Sequence, residues 1–551
     1  MQIFKNDFLM SIGVSTCLFL GNSAMLLAWT QGQPISDGPS SLNPTPSCLA
    51  IDHNSNTTVG WLGGVIGTDN SLFTASLPAE APNWNAPILL YSGTPPQFSS
   101  FPEIFADNNG KVNSIWANFL FDKDVANATI ILNSTQDSLD FSWPTPIASD
   151  ELIGFPNGGD IGVDKLGNKV GILALTANSE SSFPPFSIML VAMANGATSW
   201  TSPVVLGTDN SSNSPVVFVS ASEGQALLGW RETPLSFKSA RYNFATEELS
   251  AINNLYLPAG TTDIGFAKAV VAASGDATAV FGVRIGLATN YVIYSAFLPK
   301  GSSTWTFPEP VSNPDHDTTN LYLSIKTDDA ENTKILWGEL NASNNGFIRA
   351  ASLPFGGAIT DIQDLTDPNP SVSTTGGEGS GLLLDLDDFG NQVAIWQLYI
   401  DSVPTVQVAS KANEGSWTTV ENLSSTGLTP KVCLSNQGTS VAVWVDSVTH
   451  LLNASTSNYL FPLSAPTLFG GYISEEDSGF ALNFHWNPSL APNVVNYEIF
   501  NGTRLVASIS GEGPFSYQQM LDCDSIDGIY TLVAVGSNGN KSEPLALVFF
   551  E

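Results

Sequence analysis

The chain has 551 residues, and 18 lysines and arginines stand against 51 aspartates and glutamates, a formal net charge of −33 at pH 7. Hydrophobic residues make up 43% of it and charged residues 13%. This is enough apolar material for a large core, which excludes a disordered acidic chain. Nucleic-acid binding is excluded as a default, because it requires clustered lysine and arginine, and the arginines are dispersed.

An export signal is predicted over residues 1–28. Lys5 lies in a short polar region, and an uncharged, mostly apolar stretch runs from Phe8 to Ala28 with small residues for cleavage at Ala24 or Ala28. The stretch is also close to the length of one membrane-spanning helix, so a retained anchor is the alternative. Cleavage predicts a mature protein that is secreted, periplasmic or at the cell surface, without stable membrane insertion.

One sequence phrase recurs between residues 51 and 444. It consists of an apolar strand, a polar turn that usually contains glycine, and an alternating strand that ends on a large residue. The eight copies end at Trp61, Trp116, Leu173, Trp230, Phe281, Trp337, Trp396 and Trp444, with a mean spacing of about 55 residues. Period-two patterning on both sides of a glycine turn predicts a β-hairpin in each copy.

A second phrase, with tryptophan three residues before proline, follows several copies at Trp84, Trp143, Trp200 and Trp305. Proline cannot donate a ladder hydrogen bond, so this phrase belongs to an outer strand. Each unit then has about four strands, which predicts a β-propeller over residues 29–462 with about eight blades, and seven as the alternative count. Separate sandwich domains are disfavoured, because about 55 residues cannot bury their own core.

The ring has a predicted closure. The last copy lacks the outer tryptophan–proline strand, and residues 29–36, with Trp29 and Pro34, resemble that missing phrase. An N-terminal strand added to the last blade would cover the open edge of the sheet.

Three cysteines remain after the predicted signal, which contains Cys17: Cys48, Cys433 and Cys523. An odd number in an exported chain allows at most one internal bridge. Cys48 and Cys433 lie in the first strands of the first and last copies, which a closed ring makes neighbours. We expect either a Cys48–Cys433 disulfide across the closure or two buried thiols.

A different pattern begins after Pro462, with six strand-like runs and no tryptophan–proline phrase. Trp486 with Pro488, the run from Tyr497 to Ile499, and Tyr530 before Val533 resemble a fibronectin type III domain over residues 464–551. The resemblance implies a two-sheet β-sandwich with Trp486 in the core and Tyr530 as a tyrosine corner. Such a domain is a spacer or a ligand-presenting unit.

The repeated region resembles secreted sialidase-like (BNR or Asp-box-type) β-propellers in architecture, through its tryptophan–proline phrase and its Asp-x-x-Gly turns. Sialidase chemistry requires three arginines and a tyrosine nucleophile. The candidate arginines are Arg231, Arg241, Arg284 and Arg349, and the candidate tyrosines are Tyr291 and Tyr294. None lies in the catalytic motif of that family, so we expect scattered surface arginines and packed tyrosines, and no catalytic residue is assigned.

Metal and cofactor chemistry is not indicated. The four histidines are dispersed, and the acidic segments Asp315–Asp317 and Asp385–Gly390 lack the spacing of an EF-hand. Both are interpreted as solvated turns, and no cofactor or metal is predicted.

The function predicted from sequence is an exported, non-catalytic binding or structural protein. One face of the propeller would bind a protein or a glycan at the cell envelope or surface, because propellers carry function on the loops around a central channel. The alternative is a carbohydrate-active hydrolase with its site at the channel mouth.

Overall fold

The architecture was analysed in a computed structural model. It describes residues 29–35 and 45–549, except for positions 53, 64–69, 80, 94–96, 108–109, 121–127, 137–142, 144–145, 151, 177–184, 211–214, 289, 319–322, 329, 342, 344, 368–371, 374–380, 389, 401, 414, 437, 459–465, 477–478, 490–493, 503, 521–527, 537–540 and 543. Within these residues every regular element is a β-strand, and no helix could cross a membrane. The predicted signal, Cys17, Cys523 and the predicted domain boundary near residue 463 lie outside the described residues.

Eight antiparallel sheets, numbered 1 to 8 in chain order, occupy the region up to Asn458. The first strand of the chain is β1 (Gln33–Pro34). Sheet 1 contains β2 (Thr45–Ile51), β3 (Thr57–Gly63), β4 (Asn70–Leu77) and β5 (Ile88–Gly93). Sheet 2 contains β6 (Gln97–Ala106), β7 (Val112–Leu120), β8 (Ala128–Gln136), β9 (Ile147–Ala148) and β10 (Leu152–Ile153). Sheet 3 contains β11 (Phe155–Val163), β12 (Lys169–Thr176), β13 (Phe186–Met193) and β14 (Val204–Asp209).

The next three sheets continue the same order. Sheet 4 contains β15 (Val217–Ser222), β16 (Gln225–Thr233), β17 (Ser236–Asn243), β18 (Glu248–Leu249) and β19 (Asn253–Leu255). Sheet 5 contains β20 (Thr261–Val271), β21 (Ala277–Ile285), β22 (Val292–Leu298) and β23 (Glu309–Pro310). Sheet 6 contains β24 (Leu323–Thr327), β25 (Asn332–Leu340), β26 (Gly346–Pro354) and β27 (Thr360–Asp364).

The last two sheets bring the chain back to its start. Sheet 7 contains β28 (Val372–Ser373), β29 (Leu382–Leu386), β30 (Gln392–Ile400), β31 (Val403–Lys411) and β32 (Glu421–Ser424). Sheet 8 contains β33 (Gly427–Leu434), β34 (Thr439–Asp446) and β35 (Leu452–Asn458), with β1 as its fourth strand.

The sheets form a closed cycle. We call the strands β2, β6, β11, β15, β20, β24, β29 and β33 the inner strands. Each contacts the inner strand of the next sheet, and β33 contacts β2. Sequential sheets of four or five strands joined in this way have a β-propeller-like fold. In such a ring the last sheet must also be joined to the first, which needs a contribution from both ends of the repeat region.

The N-terminal strand β1 makes this connection, as the fourth strand of sheet 8. Gln33 pairs with Ala454 and Pro34 with Asn453. Thr30 N donates to the Thr456 carbonyl of strand β35, and Thr456 N donates to Thr30 Oγ1. The outer edge of sheet 8 is thereby covered by the strand that the sequence predicts for this place.

Aspartate side chains hold the turns between the first two strands of several sheets. Asp164 Oδ1 accepts hydrogen bonds from the backbone amides of Leu166 and Asn168, and Asp164 Oδ2 accepts one from Asn168 Nδ2. The glycine of this turn, Gly167, has φ = 87°, where a side chain would be strained. The repeated Asp-x-x-Gly sequence is therefore a structural turn, because its carboxylate is used by its own loop.

Tryptophan fills the core of most sheets, on the second strand as the repeat predicts. Trp61, Trp116, Trp230, Trp337, Trp396 and Trp444 are all buried. The tryptophans of the second phrase pack between sheets: Trp200 Nε1 donates to the Ile147 carbonyl of sheet 2, and Trp305 Nε1 donates to Ser239 Oγ of sheet 4. Each such indole joins its own sheet to the preceding one.

The C-terminal region forms two further sheets. Its strands are β36 (Thr467–Glu476), β37 (Gly479–Asn487), β38 (Val494–Asn501), β39 (Arg504–Ser510), β40 (Ser516–Met520), β41 (Gly528–Gly536) and β42 (Leu545–Phe549). The first sheet has the order β36-β37-β40 and the second β39-β38-β41-β42. Trp486, Tyr497 and Tyr530 are buried in one core between them, which is the arrangement of a β-sandwich.

The structure contains no Cys48–Cys433 bond. Both residues are buried thiols, and each sulfur faces a carbonyl of its own sheet, Gly60 for Cys48 and Val441 for Cys433. In the structure the two residues are therefore buried thiols, and the disulfide stays a prediction for the alkylation experiment described in the Discussion.

Candidate functional site

Side chains of the inner strands tie neighbouring sheets together around the central channel. Asp160 Oδ2 accepts a hydrogen bond from Val219 N at 2.7 Å, and Asp385 Oδ2 accepts one from Leu434 N at 2.8 Å. Ser220 Oγ plays the same part towards the amide of Val271. The inner wall is thus held by hydrogen bonds that cross from one sheet to the next, which fixes the channel geometry.

The same strands bring acidic and basic groups together in the channel. Glu103 and Asp160 lie within electrostatic reach of Lys268, and Lys326 Nζ is 3.3 Å from Asp385 Oδ1. Burial, reinforced by Asp160 and opposed by Lys431 and other lysines, raises the pKa of Glu103 to about 7. A carboxyl group in the channel therefore titrates close to neutral pH.

An ion pair spans the channel at the end where the Asp-x-x-Gly turns lie. Lys165 Nζ of sheet 3 is 2.6 Å from Asp388 Oδ1 of sheet 7, and these sheets lie on opposite sides of the cycle of eight. Asp388 Oδ2 also accepts a hydrogen bond from Asn436 Nδ2 of sheet 8. The pair narrows this end, so a ligand would approach the channel from the other end.

At that other end a hollow of about 280 Å³ opens between the inner strands of sheets 3, 4 and 5. We call it the mouth hollow. Its lining residues are Gly158, Gly159, Pro215, Val216, Val217, Gly265, Phe266 and Ala267. A Cβ atom on Gly265 would lie 2.5 Å from the ring of Tyr291. The backbone of the wall therefore lies directly against this tyrosine.

A polar group lies next to this wall. The hydroxyl of Tyr291 donates to Asp263 Oδ2 at 2.7 Å, and the Arg284 guanidinium lies over the tyrosine ring, 4.2 Å from its centroid. Burial, followed by the Asp263 carboxylate, raises the pKa of Tyr291 to about 12. Two further polar atoms, Asp263 Oδ1 and Arg284 Nε, are buried and make no hydrogen bond to any described residue. Other atoms of the two side chains reach the surface, since Arg284 is 37% and Asp263 15% exposed.

Arg231 anchors this corner of the structure. Its side chain is only 1% exposed, and Nε lies 3.5 Å from the fully buried carboxylate of Asp209, at the end of sheet 3. Nη1 donates to the Ile264 carbonyl of sheet 5 at 2.7 Å. One guanidinium thus joins sheets 3, 4 and 5, the three sheets that line the mouth hollow.

A second polar group lies on sheet 6. The Glu339 side chain is fully buried and accepts hydrogen bonds from Trp337 Nε1 at 2.9 Å and Arg349 Nη1 at 3.2 Å. Its other oxygen is 2.7 Å from His316 Nδ1, and the His316 side chain is 18% exposed. The Glu339 carboxylate orients the imidazole through Nδ1, so Nε2 is the ring nitrogen that does not contact the carboxylate.

The two polar groups share one loop. Asp317 Oδ1 accepts a hydrogen bond from Tyr291 N at 3.3 Å, and Thr318 Oγ1 donates to the Tyr291 carbonyl at 2.6 Å. The residue before Asp317 is His316. This loop thus connects the buried Tyr291 of sheet 5 with His316, which is partly exposed.

The residues singled out from the sequence divide into two sets. Arg231, Arg284 and Tyr291 come together. The expectation of scattered surface arginines is therefore wrong for Arg231 and Arg284, most clearly for Arg231, which is buried. Arg241 lies elsewhere, with Nη2 donating to the Leu298 carbonyl, and Arg349 belongs to the sheet 6 group. Asp263 pairs with Arg284 because of the register between β20 and β21 and the bulges in β20, which the linear sequence does not show.

Sequence reasoning missed Asp263, Gly265 and Glu339. Asp263 and Gly265 lie in one strand and carry no motif. Glu339 stands two residues after a repeat tryptophan, a position that is Asp446 in sheet 8 and Asn118 in sheet 2. An alignment of the repeats at this position would have drawn attention to Glu339.

The predicted acidic turns also have defined roles. Asp387 Oδ1 and Oδ2 accept hydrogen bonds from Asn391 within the turn. Asp317 Oδ1 accepts the hydrogen bond from Tyr291 N that is described above. Among the described residues, no cluster of histidine, cysteine, aspartate and glutamate side chains could hold a metal ion.

No protein-family model matches the sequence, and no curated protein matches it either. Among solved structures, the BP39L lectin from Burkholderia pseudomallei is similar over 69% of this chain and 99% of its own, with 13% identity and a TM-score of 0.45. A polysaccharide lyase of family PL25, an ulvan lyase, covers 72% and 95% with 11% identity and a TM-score of 0.42. A fungal alcohol oxidase of the AA5 family, in complex with copper, covers 95% and 99% with 12% identity and a TM-score of 0.41. At these values the similarity assigns no ligand or reaction to this chain.

Proposed function

We propose that this chain is an exported binding protein that takes a glycan at the mouth hollow. In this proposal residues 29–462 form an eight-bladed β-propeller, and residues 464–551 form a fibronectin type III-like domain that acts as a spacer. The apolar stretch over residues 8–28 supports export, and the closed cycle of eight sheets supports the blade count. The observation that carries the binding function is the mouth hollow with Asp263, Arg284 and Tyr291 beside it.

The chemistry of this place suits a sugar. Ligand sites combine an apolar wall with a few polar groups that fix the orientation of the ligand. Here Pro215, Val217 and Phe266 supply the apolar wall, and the glycines keep the backbone accessible. The Arg284 guanidinium, whose side chain is 37% exposed, can donate to a hydroxyl group, and the Asp263 carboxylate, 15% exposed, can accept from one. A hydroxyl-rich ring uses both, while an apolar peptide segment would use neither.

The geometry favours binding over nucleophilic catalysis by the tyrosine. A phenol with a pKa of about 12 stays protonated at neutral pH. Its hydroxyl donates a hydrogen bond to Asp263. Tyr291 is only 7% exposed and uses its hydroxyl to position the Asp263 carboxylate, so it is not presented to a ligand as a nucleophile would have to be.

The test is a glycan-array screen of the full chain, followed by calorimetry with the best ligand. Arg284→Ala removes one charge-assisted hydrogen bond and is expected to weaken binding at least about tenfold. Arg504→Ala, an exposed arginine of the sandwich, is the matched control and is expected to bind as the parent does. Binding that is unaffected by Arg284→Ala and lost in Arg504→Ala would place the site on the sandwich and refute the proposal.

A second candidate function is a carbohydrate-active hydrolase at the same face. The observation in its favour is the buried Glu339 that orients His316, since an oriented imidazole can act as a general base. A panel of chromogenic glycosides tests it. Turnover that is abolished by His316→Ala and retained in Arg504→Ala would favour the hydrolase over the binding protein.

A further inference from the structure

A second cavity lies at the seam where the ring closes. It has a volume of about 190 Å³ and lies between sheets 8 and 1. We call it the seam cavity. Its lining residues are Thr30, Gln33, Leu77, Ala81, Pro82, Trp84, Ala454 and Thr456. Residues from the N-terminal segment, the last sheet and the first sheet meet here, so the cavity exists only in the closed ring.

The tryptophan at this seam is less buried than two of its counterparts. Trp200 and Trp305, at the same position of the repeat, are buried, with 7% and 2% of their surface exposed. Trp84 packs partly against the core of sheet 8 and remains half-buried. Because Trp84 does not fill the seam, part of its indole surface forms a wall of the cavity.

The polar groups of the seam cavity are neutral. Thr30 Oγ1 accepts a hydrogen bond from Thr456 N at 2.9 Å and lies 3.4 Å from Thr456 Oγ1. Gln33 adds a primary amide on an exposed two-residue strand. None of the eight lining residues is ionisable, although the whole chain has a net charge of −33. Hydroxyl and amide groups both donate and accept hydrogen bonds, and they discriminate against an ionised ligand, which would be left without a counter-charge.

We propose that the seam cavity binds one neutral sugar residue, with the ring against Trp84 and the hydroxyl groups bonded to Gln33 and Thr456. Its volume is about six times the roughly 30 Å³ that one water occupies in the liquid, which suits a single six-membered ring. An aromatic wall beside neutral hydrogen-bonding groups matches a ligand with apolar C–H faces and hydroxyl edges. The site goes beyond the mouth hollow, shares no residue with it and lacks its charged pair.

The experiment is saturation-transfer NMR of the full chain with four probes: the methyl glycosides of glucose, galactose and mannose, and glucuronic acid as the anionic comparison. At least one neutral glycoside is expected to bind. Thr456→Val removes one hydroxyl at nearly constant volume and is expected to weaken binding about three- to tenfold. Trp84→Ala is expected to weaken it at least about tenfold. Gln33→Ala, on an exposed strand, tests the site if Trp84→Ala fails to fold.

Arg284→Ala is the matched control, because it alters the mouth hollow alone, and it should leave glycoside binding at the seam unchanged. The proposal is overturned if none of the three neutral glycosides binds, or if their binding survives both Thr456→Val and Gln33→Ala. Equal binding of glucuronic acid would contradict the neutral selectivity. Loss of binding in Arg284→Ala alone would assign the signal to the mouth hollow.

Discussion

Lys165 and Asp388 lie 223 residues apart in the chain, and their side chains meet at 2.6 Å. They belong to turns on opposite sides of the ring, so the contact depends on the position of all the sheets between them. Because both side chains are partly exposed, at 45% and 33%, solvent screens the pair and its energy is small.

We predict that a double-mutant cycle of Lys165→Ala and Asp388→Asn gives a coupling energy of about 0.2–1 kcal/mol at low salt. The measurement is urea unfolding of the four proteins, repeated at high salt, where the coupling should shrink. A coupling of zero at low salt would mean that the two turns do not meet in solution.

The buried ion pair of Arg231 and Asp209 is predicted to contribute much more to stability than the exposed pair of Lys165 and Asp388. Arg231→Met leaves the carboxylate of Asp209, which is 0% exposed, without its guanidinium partner. Removing one member of a buried ion pair costs about 3–5 kcal/mol in the free energy of unfolding. Denaturant unfolding measures it, with Arg504→Ala as a surface control that should change stability by less than about 0.5 kcal/mol. A loss below about 1 kcal/mol would contradict the buried position of Arg231.

Glu103 gives a pH prediction. Its pKa is raised from 4.5 to about 7, mainly by burial, so the folded protein retains a proton that the unfolded chain releases. Stability therefore falls as pH rises through the window from 4.5 to 7. Glu103→Gln should remove this dependence, and its free energy of unfolding should exceed that of the parent by about 2 kcal/mol at the upper end of the window. This is less than the full shift implies, because Glu103 is partly exposed.

The comparison is made by chemical unfolding at several pH values. Glu512→Gln, which changes an exposed carboxyl group of the sandwich, serves as the control and should follow the parent. A parallel pH dependence of the parent and Glu103→Gln would show that Glu103 is solvated.

The cysteines can be tested by mass spectrometry. Burial raises the pKa of both the Cys48 and the Cys433 thiols, and thiols react as thiolates. We expect neither residue to be alkylated in the native protein, and both to be alkylated after unfolding without reductant. Alkylation that needs a reductant would reveal the bridge that the sequence allows and that the structure does not contain.

The sequence predicts much of the fold, because the fold is repetitive. A hairpin with alternating strands and a glycine turn leaves the same pattern in every copy, and a tryptophan that must be buried recurs on the second strand. The closing strand was predictable for the same reason, since one copy lacks a phrase that residues 29–36 supply. Strand β1 confirms this prediction.

The candidate site was much less predictable. Asp263 reaches Tyr291 because β20 contains bulges between Thr261 and Asp263 and between Ile264 and Phe266, and a bulge changes which side chains share a face. The environment of Arg231 depends on the end of sheet 3 and on a carbonyl of sheet 5. These contacts join residues 22 to 33 positions apart, at no fixed period, and therefore leave no pattern in the chain.

The most direct test of the central claim is hydrogen exchange of the full chain with and without the glycan found in the array screen. Glycan binding at the mouth hollow predicts slowed exchange of the backbone amides near Gly158, Val217 and Gly265, on three inner strands that are distant in sequence. Slowed exchange confined to the strands of the sandwich, or to loops of sheets far from these three, would contradict it.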